Sequence, residues 1–351
     1  MIDIELLSSS REEEYRQFLR LNPHSLIYAT IEFRNFLSAV VSGEPVYLLA
    51  IRNGKICGAL PYFVYAQPGY GKIINSLPWF GSYGGCTLAF DEDEEARNAL
   101  LSHYADIVSA PDVLSATLIE SPFELPWEDQ YLSMLQPDAK DYRLGQITTL
   151  PEKDGDIEEI LTFVFKKKTR NLVRKALKQG FQLVISDEEW AWQFLHKTHT
   201  ENLRSIGGIP KPWEHFAAIR QNIPWEWRNI FVALLDGKPV AALLMLYFNQ
   251  TAEYVTPVIM QEHRSSQPLS FLIWHAMLHA TANGFRWWNW GGTWDSQKSL
   301  HHFKAGWGAE DYPYSYFISL KPASLVLMKS DLNDLRSAFP YYYLLPFFMV
   351  E

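Results

Sequence analysis

The sequence predicts an α/β protein built as two consecutive units, each a mixed sheet flanked by helices. Three observations lead there. The 351-residue chain is about twice the usual single-domain size. A strand, a tight glycine turn and a longer strand occur twice, around Asn53-Gly54-Lys55 and around Asp236-Gly237-Lys238. Helices and strands flank the two copies in the same order, which accounts for the length by duplication.

In the first unit, residues 11–20 and 31–41 read as helices, and a hairpin begins at Val46. A further strand-like piece follows. Residues 92–108 place Ala96, Leu100, Tyr104 and Ile107 on one helical face, while the acidic run Asp91, Glu92, Asp93, Glu94 and Glu95 suits the positive end of the helix dipole and hydration. Residues 114–119 form an apolar strand. The second unit repeats this order with helices at 188–203 and 213–222, a hairpin from Ile230, a helix at 269–283 and a strand at 286–290. Pro268 suits the first turn of that helix and Gly284 its exit. The run 241–248 is apolar without alternation, as in an interior strand covered on both faces.

The polar stretch 145–156, with its proline and glycine, marks a boundary. The expected division is 1–155, 156–320 and an aromatic tail, 321–351. The end of that tail is too short and proline-broken to span a bilayer, so it is expected to dock on the protein, a partner or peripherally on a membrane.

A composition of 48% hydrophobic and 20% charged residues excludes wholesale disorder and a disulfide-stapled miniprotein. The 40 acidic against 31 basic residues argue against a protein that coats nucleic acid, and DNA is not an expected partner. Cys57 and Cys86 form no zinc pattern and suggest a reducing compartment. With no leader pattern and no long apolar span, the expected location is cytoplasmic, including the inner face of the membrane.

Against the overall negative charge, residues 165–181 contain Lys166, Lys167, Lys168, Arg170, Arg174, Lys175 and Lys178 and no acid. Leu161, Phe165, Thr169, Leu172 and Ala176 can face a core, Lys167, Arg170, Arg174 and Lys178 can share the opposite surface, and Gly180 can end the helix. One reading is a solvated amphipathic helix. The other is an anion platform, with Arg170 and Arg174 making two-pronged phosphate contacts to a lipid- or nucleotide-linked diphosphate, a coenzyme diphosphate or the acceptor stem of a transfer RNA.

A second concentration follows the strand at 286–290. There Trp288 and Trp290 share one face, Trp287 and Asn289 share the other, and Gly291-Gly292 ends the strand where no side chain obstructs a ligand. Asp295, Lys298, His301, His302, Phe303 and Lys304 follow, with Phe303 expected as the buried anchor. Lys304 in a cleft could neutralise phosphate or a developing oxyanion. His302 is a candidate for proton transfer. His275 and His279 lack the HExxH pattern, and no metal site is expected. No GxSxG or GxGxxG motif occurs either.

On Thr169 to Phe181, the hairpin at Gly237, Trp290-Gly291-Gly292 and Phe303-Lys304-Ala305-Gly306-Trp307-Gly308, the chain resembles the Fem family of peptidoglycan-bridge aminoacyltransferases. The resemblance covers about residues 160–310 and implies two tandem acetyltransferase-like (GNAT-like) domains. It implies transfer of an activated acyl or aminoacyl group to an amine of a cell-envelope or polysaccharide precursor. No tightly bound cofactor is expected; the donor would be acyl-coenzyme A or aminoacyl-tRNA. Acyl-coenzyme A enzymes carry glycines in the loop before the helix at 269–283, whereas here it reads Gln261 to Pro268 without one. Arg264 and the amides near Ser265 and Ser266 could receive an anion there. No heptad-bearing arm is present, so an amino sugar is as suitable an acceptor as a bridge precursor.

The resulting expectation places catalysis in the second unit, with Lys304, His302 and Tyr254 as catalytic candidates. Arg170, Arg174, Lys178, Arg264, Asn289, Gly291, Gly292 and Asp295 are expected to bind substrate. Two other classes remain open at this point: an envelope-precursor or glycan transferase with different chemistry, and a non-catalytic binding or assembly protein.

Overall fold

The computed structural model describes residues 2–80, 82–91, 93–152 and 163–349. Glu92 and Leu161, each assigned a part above, lie outside them, as does 153–156 of the expected linker. Thirteen strands are described in chain order: β1 (Asp3–Leu6), β2 (Glu44–Arg52), β3 (Lys55–Gln67), β4 (Gly71–Ser76), β5 (Thr87–Leu88), β6 (Val113–Ile119) and β7 (Ala139–Thr149). Then come β8 (Gln182–Ser186), β9 (Arg228–Leu235), β10 (Lys238–Phe248), β11 (Thr251–Ile259), β12 (Trp287–Thr293) and β13 (Glu310–Leu320).

The chain divides into two compact units, one made of Met1–Arg143 with Tyr312–Glu351, the other of Leu144–Asp311. Two features of this division differ from the expected one. Residues 145–149 are strand rather than linker: β7 pairs with β12 from Leu144 to Thr149, and Ile147 is buried. The segment after residue 320 is part of the first unit. It lays Leu327, Leu335, Phe339 and Leu345 against Ile73 and Leu114, apolar residues of β4 and β6 that water would otherwise reach.

The strand order in the first unit is β1-β2-β3-β4-β6-β13, with β5 on β3; in the second it is β7-β12-β11-β10-β9-β8. Each contains one parallel pair, β4 with β6 and β11 with β12. A helix precedes the second strand of each pair: Glu94–Val108 in the first unit and Pro268–Ala282 in the second. The sheets are thus mixed and helix-covered, as the sequence predicts.

The repeated hairpins have a local cause. Asn53 and Gly54 have φ of 53° and 76°, and Asp236 and Gly237 have 51° and 74°. Two successive residues in the left-handed region make the tight turn whose twist suits paired strands, and Asn-Gly and Asp-Gly tolerate it. Arg52 therefore faces Lys55 and Leu235 faces Lys238.

The second unit's core gathers Phe231, Leu243, Met245, Trp288 and Trp290 from the sheet with Leu272, Ile273, Ala276 and Met277 from the helix Pro268–Ala282. From Val240 to Phe248, β10 is buried on both faces. In the first unit, Leu48, Leu60, Ile74 and Leu118 of the sheet meet Leu100, Leu101 and Tyr104 of the helix Glu94–Val108.

Candidate functional site

The site begins where two parallel strands part. Register between β11 and β12 runs through Thr251 and Trp287, Ala252 and Trp288, and Glu253 and Asn289, and no later pair joins them among the described residues. β11 continues to Ile259 against β10, and beyond a register shift β12 pairs Gly292 and Thr293 with β7. Parting leaves backbone donors and acceptors at the carboxyl ends of parallel strands, a usual seat for ligands in α/β folds.

The separated end of β12 is held by a lysine. Lys304, on the helix Lys298–Gly306, is only 3% exposed. Its Nζ donates to the carbonyls of Gly291 and Gly292 at 3.0 and 3.3 Å and to Thr293 Oγ1 at 2.8 Å. Thr293 Oγ1 in turn donates to Gln146 Oε1 at 3.0 Å. Burial lowers the Lys304 ammonium to about 8, since the charged form loses water.

This geometry changes two expectations. Phe303, expected as the buried anchor, is 36% exposed, and Lys304 is the buried one. The ammonium can be buried because three oxygens replace its hydration. Nor does the strand stop at the glycines: it runs through them to Thr293, with Gly291 at φ 71° inside the register shift. Among the described residues, and apart from its chain neighbours, no heavy atom lies within 4 Å of where a Cβ would stand on Gly291, so the backbone is open there. Asn289 is fully buried; its Oδ1 accepts from Gly291 N at 2.9 Å, while Nδ2 has no hydrogen-bond partner among the described residues.

The basic helix occupies Lys167–Ala176, burying Thr169, Val173 and Ala176. Lys166 N donates to Gly306 O at 2.9 Å, and a Cβ on Gly306 would stand 2.6 Å from Thr169 Oγ1. At the far end, Lys175 Nζ donates to the Ser265 carbonyl at 2.9 Å. The helix therefore spans from the Lys304 segment to the 3-10 turn Gln261–Ser266. Arg170 is half-buried, whereas Arg174, Lys178 and Arg264 are exposed.

That turn leads into the helix Pro268–Ala282, whose N-terminus has no side-chain cap hydrogen bond. Gln267 enters it at φ 67°, a conformation that glycine adopts with less strain. Unclaimed helix amides and nearby cations together suit an anion.

Other candidates stand apart. His302 is exposed and its Nδ1 meets the Lys298 carbonyl at 2.7 Å. Two positions apart on a helix, it faces away from Lys304. Asp295 forms an exposed ion pair with Lys298 at 2.9 Å. Tyr254 is half-buried, its ring 4.9 Å from Trp290 and 6.0 Å from Trp288, and burial pushes its hydroxyl pKa upward. His275 and His279 pack on Phe271 and Phe231. Sequence reasoning missed Thr293, Gln146 and Lys175; only Lys175 carried a signal, as one member of the basic run.

Residues 164–312 match the family model for the acetyltransferase (GNAT) domain. No curated protein matches the chain. Among solved structures, FemX shares the fold with a TM-score of 0.72 at 14% identity, over 93% of this chain and 99% of FemX. The C-terminal domain of a putative lysylphosphatidylglycerol synthetase from Agrobacterium fabrum gives 0.57 at 13%, over 96% and 100%. A tandem GNAT protein from the clavulanic acid biosynthesis pathway gives 0.55 at 12%, over 91% and 98%. The fold is that of tandem GNAT proteins, and the matched segment carries the parting strands, the basic helix and Lys304.

Proposed function

We propose that this chain, with a GNAT acetyltransferase domain at residues 164–312, is an N-acyltransferase that moves an acyl group from a phosphate-bearing donor to an amine. The observation that carries the reading is the parting of β11 from β12 after Glu253 and Asn289, beside an uncapped helix N-terminus and a helix rich in lysine and arginine.

The donor's phosphates bind at the turn Gln261–Ser266 and along Arg170 and Arg174, with Lys178 and Arg264 adding charge. Its acyl arm enters between the separated strands. A neutral amine attacks the acyl carbon, a carbon–nitrogen bond forms, and the bond to sulfur or oxygen of the leaving group breaks. The amine proton departs to solvent or to the leaving group. Lys304 is a positioning residue: by holding the carbonyls of Gly291 and Gly292, it sets the strand end against which the acyl group lies. Asn289 Nδ2, a buried donor without a partner among the described residues, is a candidate for the acyl oxygen, and Tyr254 for the leaving group.

The acceptor reading is an amine of a cell-envelope or polysaccharide precursor, met in the cytoplasm or at the inner membrane face. Its support is the fold shared with FemX and the lysylphosphatidylglycerol synthetase domain. Among the described residues no helix is long and apolar enough to cross a membrane. Donors are acyl-coenzyme A or aminoacyl-tRNA, both offering phosphate to the basic helix. The test is incubation of purified protein with coenzyme A thioesters and charged transfer RNAs against a panel of amines, including amino sugars, with products read by mass spectrometry. An added acyl mass is expected; absence of any acylated amine across the panel would overturn the reading.

A further inference from the structure

The first unit contains a small, open-mouthed cavity with polar groups from four separate segments of the chain. Asp91 is one of its lining residues. Its Oδ1 accepts from Asn22 Nδ2 at 2.5 Å and its Oδ2 is 2.8 Å from His24 Nδ1. The His24 ring stacks on Phe123, centroids 4.8 Å apart and planes 15° from parallel. Asn22 is itself fixed, donating to the Leu88 carbonyl at 3.0 Å and accepting from His24 N at 2.8 Å.

Glu124 forms another wall. It accepts from Tyr131 Oη at 2.6 Å and from Ser121 N at 2.8 Å. A Cβ on Gly85 would stand 2.0 Å from Glu124 Oε2, so only a residue without a side chain lets that carboxylate sit where it does. Ser25 lines the same cavity, is 3% exposed, and its Oγ has no hydrogen-bond partner among the described residues. Cys86, also on the wall, is no nucleophile, because burial pushes its thiol up to about 12.

The lining thus offers two carboxyl groups and a buried hydroxyl, and neither lysine nor arginine contributes to it. Arg97, buried nearby, donates to the Asp91 carbonyl and Gln130 and lies over the Trp127 ring at 4.2 Å; its charge favours the ionised form of Asp91 and Glu124, but among the described residues it makes no hydrogen bond to either carboxylate. A cationic donor in direct contact with these oxygens would have to come from a ligand. We propose that this cavity is a binding site for a compact molecule bearing a primary ammonium group, received by Asp91, Glu124 and Ser25 Oγ, with Phe123 and His24 forming an aromatic wall. An ammonium offers three donors and suits a site lined by acceptors. Burial also holds the Glu124 carboxyl at about 7, so a cation arriving there displaces a proton rather than meeting a fixed charge.

This inference stands without the transfer reaction, and binding is read without turnover. The full chain is titrated with glucosamine and ethanolamine, and with glucose and ethylene glycol as uncharged counterparts, by calorimetry and saturation-transfer NMR. Saturable binding of at least one amine, with no binding of its counterpart, is expected. Glu124→Gln is expected to weaken it about 10-fold or more, as loss of a charge-assisted hydrogen bond does. Ser25→Ala, the milder change, is expected to weaken it several-fold with the melting curve unchanged, which covers the case in which Glu124→Gln does not fold. Equal binding of amine and counterpart, no binding of either amine, or undiminished affinity in folded Glu124→Gln or Ser25→Ala would overturn the proposal.

Discussion

Lys304 makes three donations to the end of β12, and removing its side chain leaves the carbonyls of Gly291 and Gly292 and Thr293 Oγ1 without that donor. A buried polar group deprived of its partner costs ~1–3 kcal/mol, so Lys304→Ala is expected to destabilise the second unit by about 3 kcal/mol in urea titration and to abolish acyl transfer. Gly291→Ala meets no atom but forces a φ of 71° on alanine, with an expected cost of ~1–2 kcal/mol. Two carboxyls make pH a probe of the first unit. Glu120 is raised to about 9 and Glu124 to about 7, mainly by burial. The folded state then holds protons that the unfolded chain releases above its ordinary carboxyl range. Stability contributed by these groups is full at low pH and lost as pH climbs through about 7 and then about 9. Thermal melts from pH 5 to pH 9 should show this decline, and Glu120→Gln should flatten it by on the order of 2 kcal/mol. None of this was legible in sequence: glutamates near a helix read as solvated until burial is known.

For the elements, the basic helix was the most legible part of the candidate site. Apolar residues at three- and four-residue steps foretold one buried face, and the structure buries Phe165, Thr169 and Ala176 of it, with Val173 buried in place of the expected Leu172, which is half-buried. Seven like charges without an acid foretold an exposed cationic surface. The double variant Arg170→Ala, Arg174→Ala is expected to raise the donor's KM about 10-fold or more and to flatten its salt dependence, because phosphate contacts are charge-assisted and screened by ions. Its urea midpoint should shift little, since neither side chain enters the core. The acidic run at 91–95 was less legible. Asp93 caps the helix Glu94–Val108 as its position suggests, accepting from Ala96 N. Yet it also takes both prongs of Arg52 at 2.5 and 2.8 Å, while Asp91 turns into the cavity with Asn22 and His24. Helix-entrance statistics cannot distinguish neighbours that point different ways.

Taken whole, the chain returns to its first unit after completing its second. β13 pairs with β6 from Tyr316 to Leu320, and the segment beyond covers Ile73 and Leu114 with Leu327, Leu335, Phe339 and Leu345. Burying each such side chain contributes ~1.5–3 kcal/mol, so truncation after Lys321 is expected to destabilise the first unit by about 5 kcal/mol or more, seen by calorimetry and faster proteolysis. The sequence by itself determined what depends on neighbours along the chain: the paired hairpins, whose Asn-Gly and Asp-Gly turns admit left-handed backbone, the helices, whose apolar spacing needs one face hidden, and the excess of positive charge in one segment. Only the tertiary structure decided which unit owns the last forty residues, that Lys304 rather than Phe303 is buried, and that Asn22, His24, Ser25, Asp91 and Glu124 share a cavity. Those outcomes depend on desolvation and on hydrogen-bond partners supplied from distant positions, and a residue's chemistry there follows from what surrounds it in space.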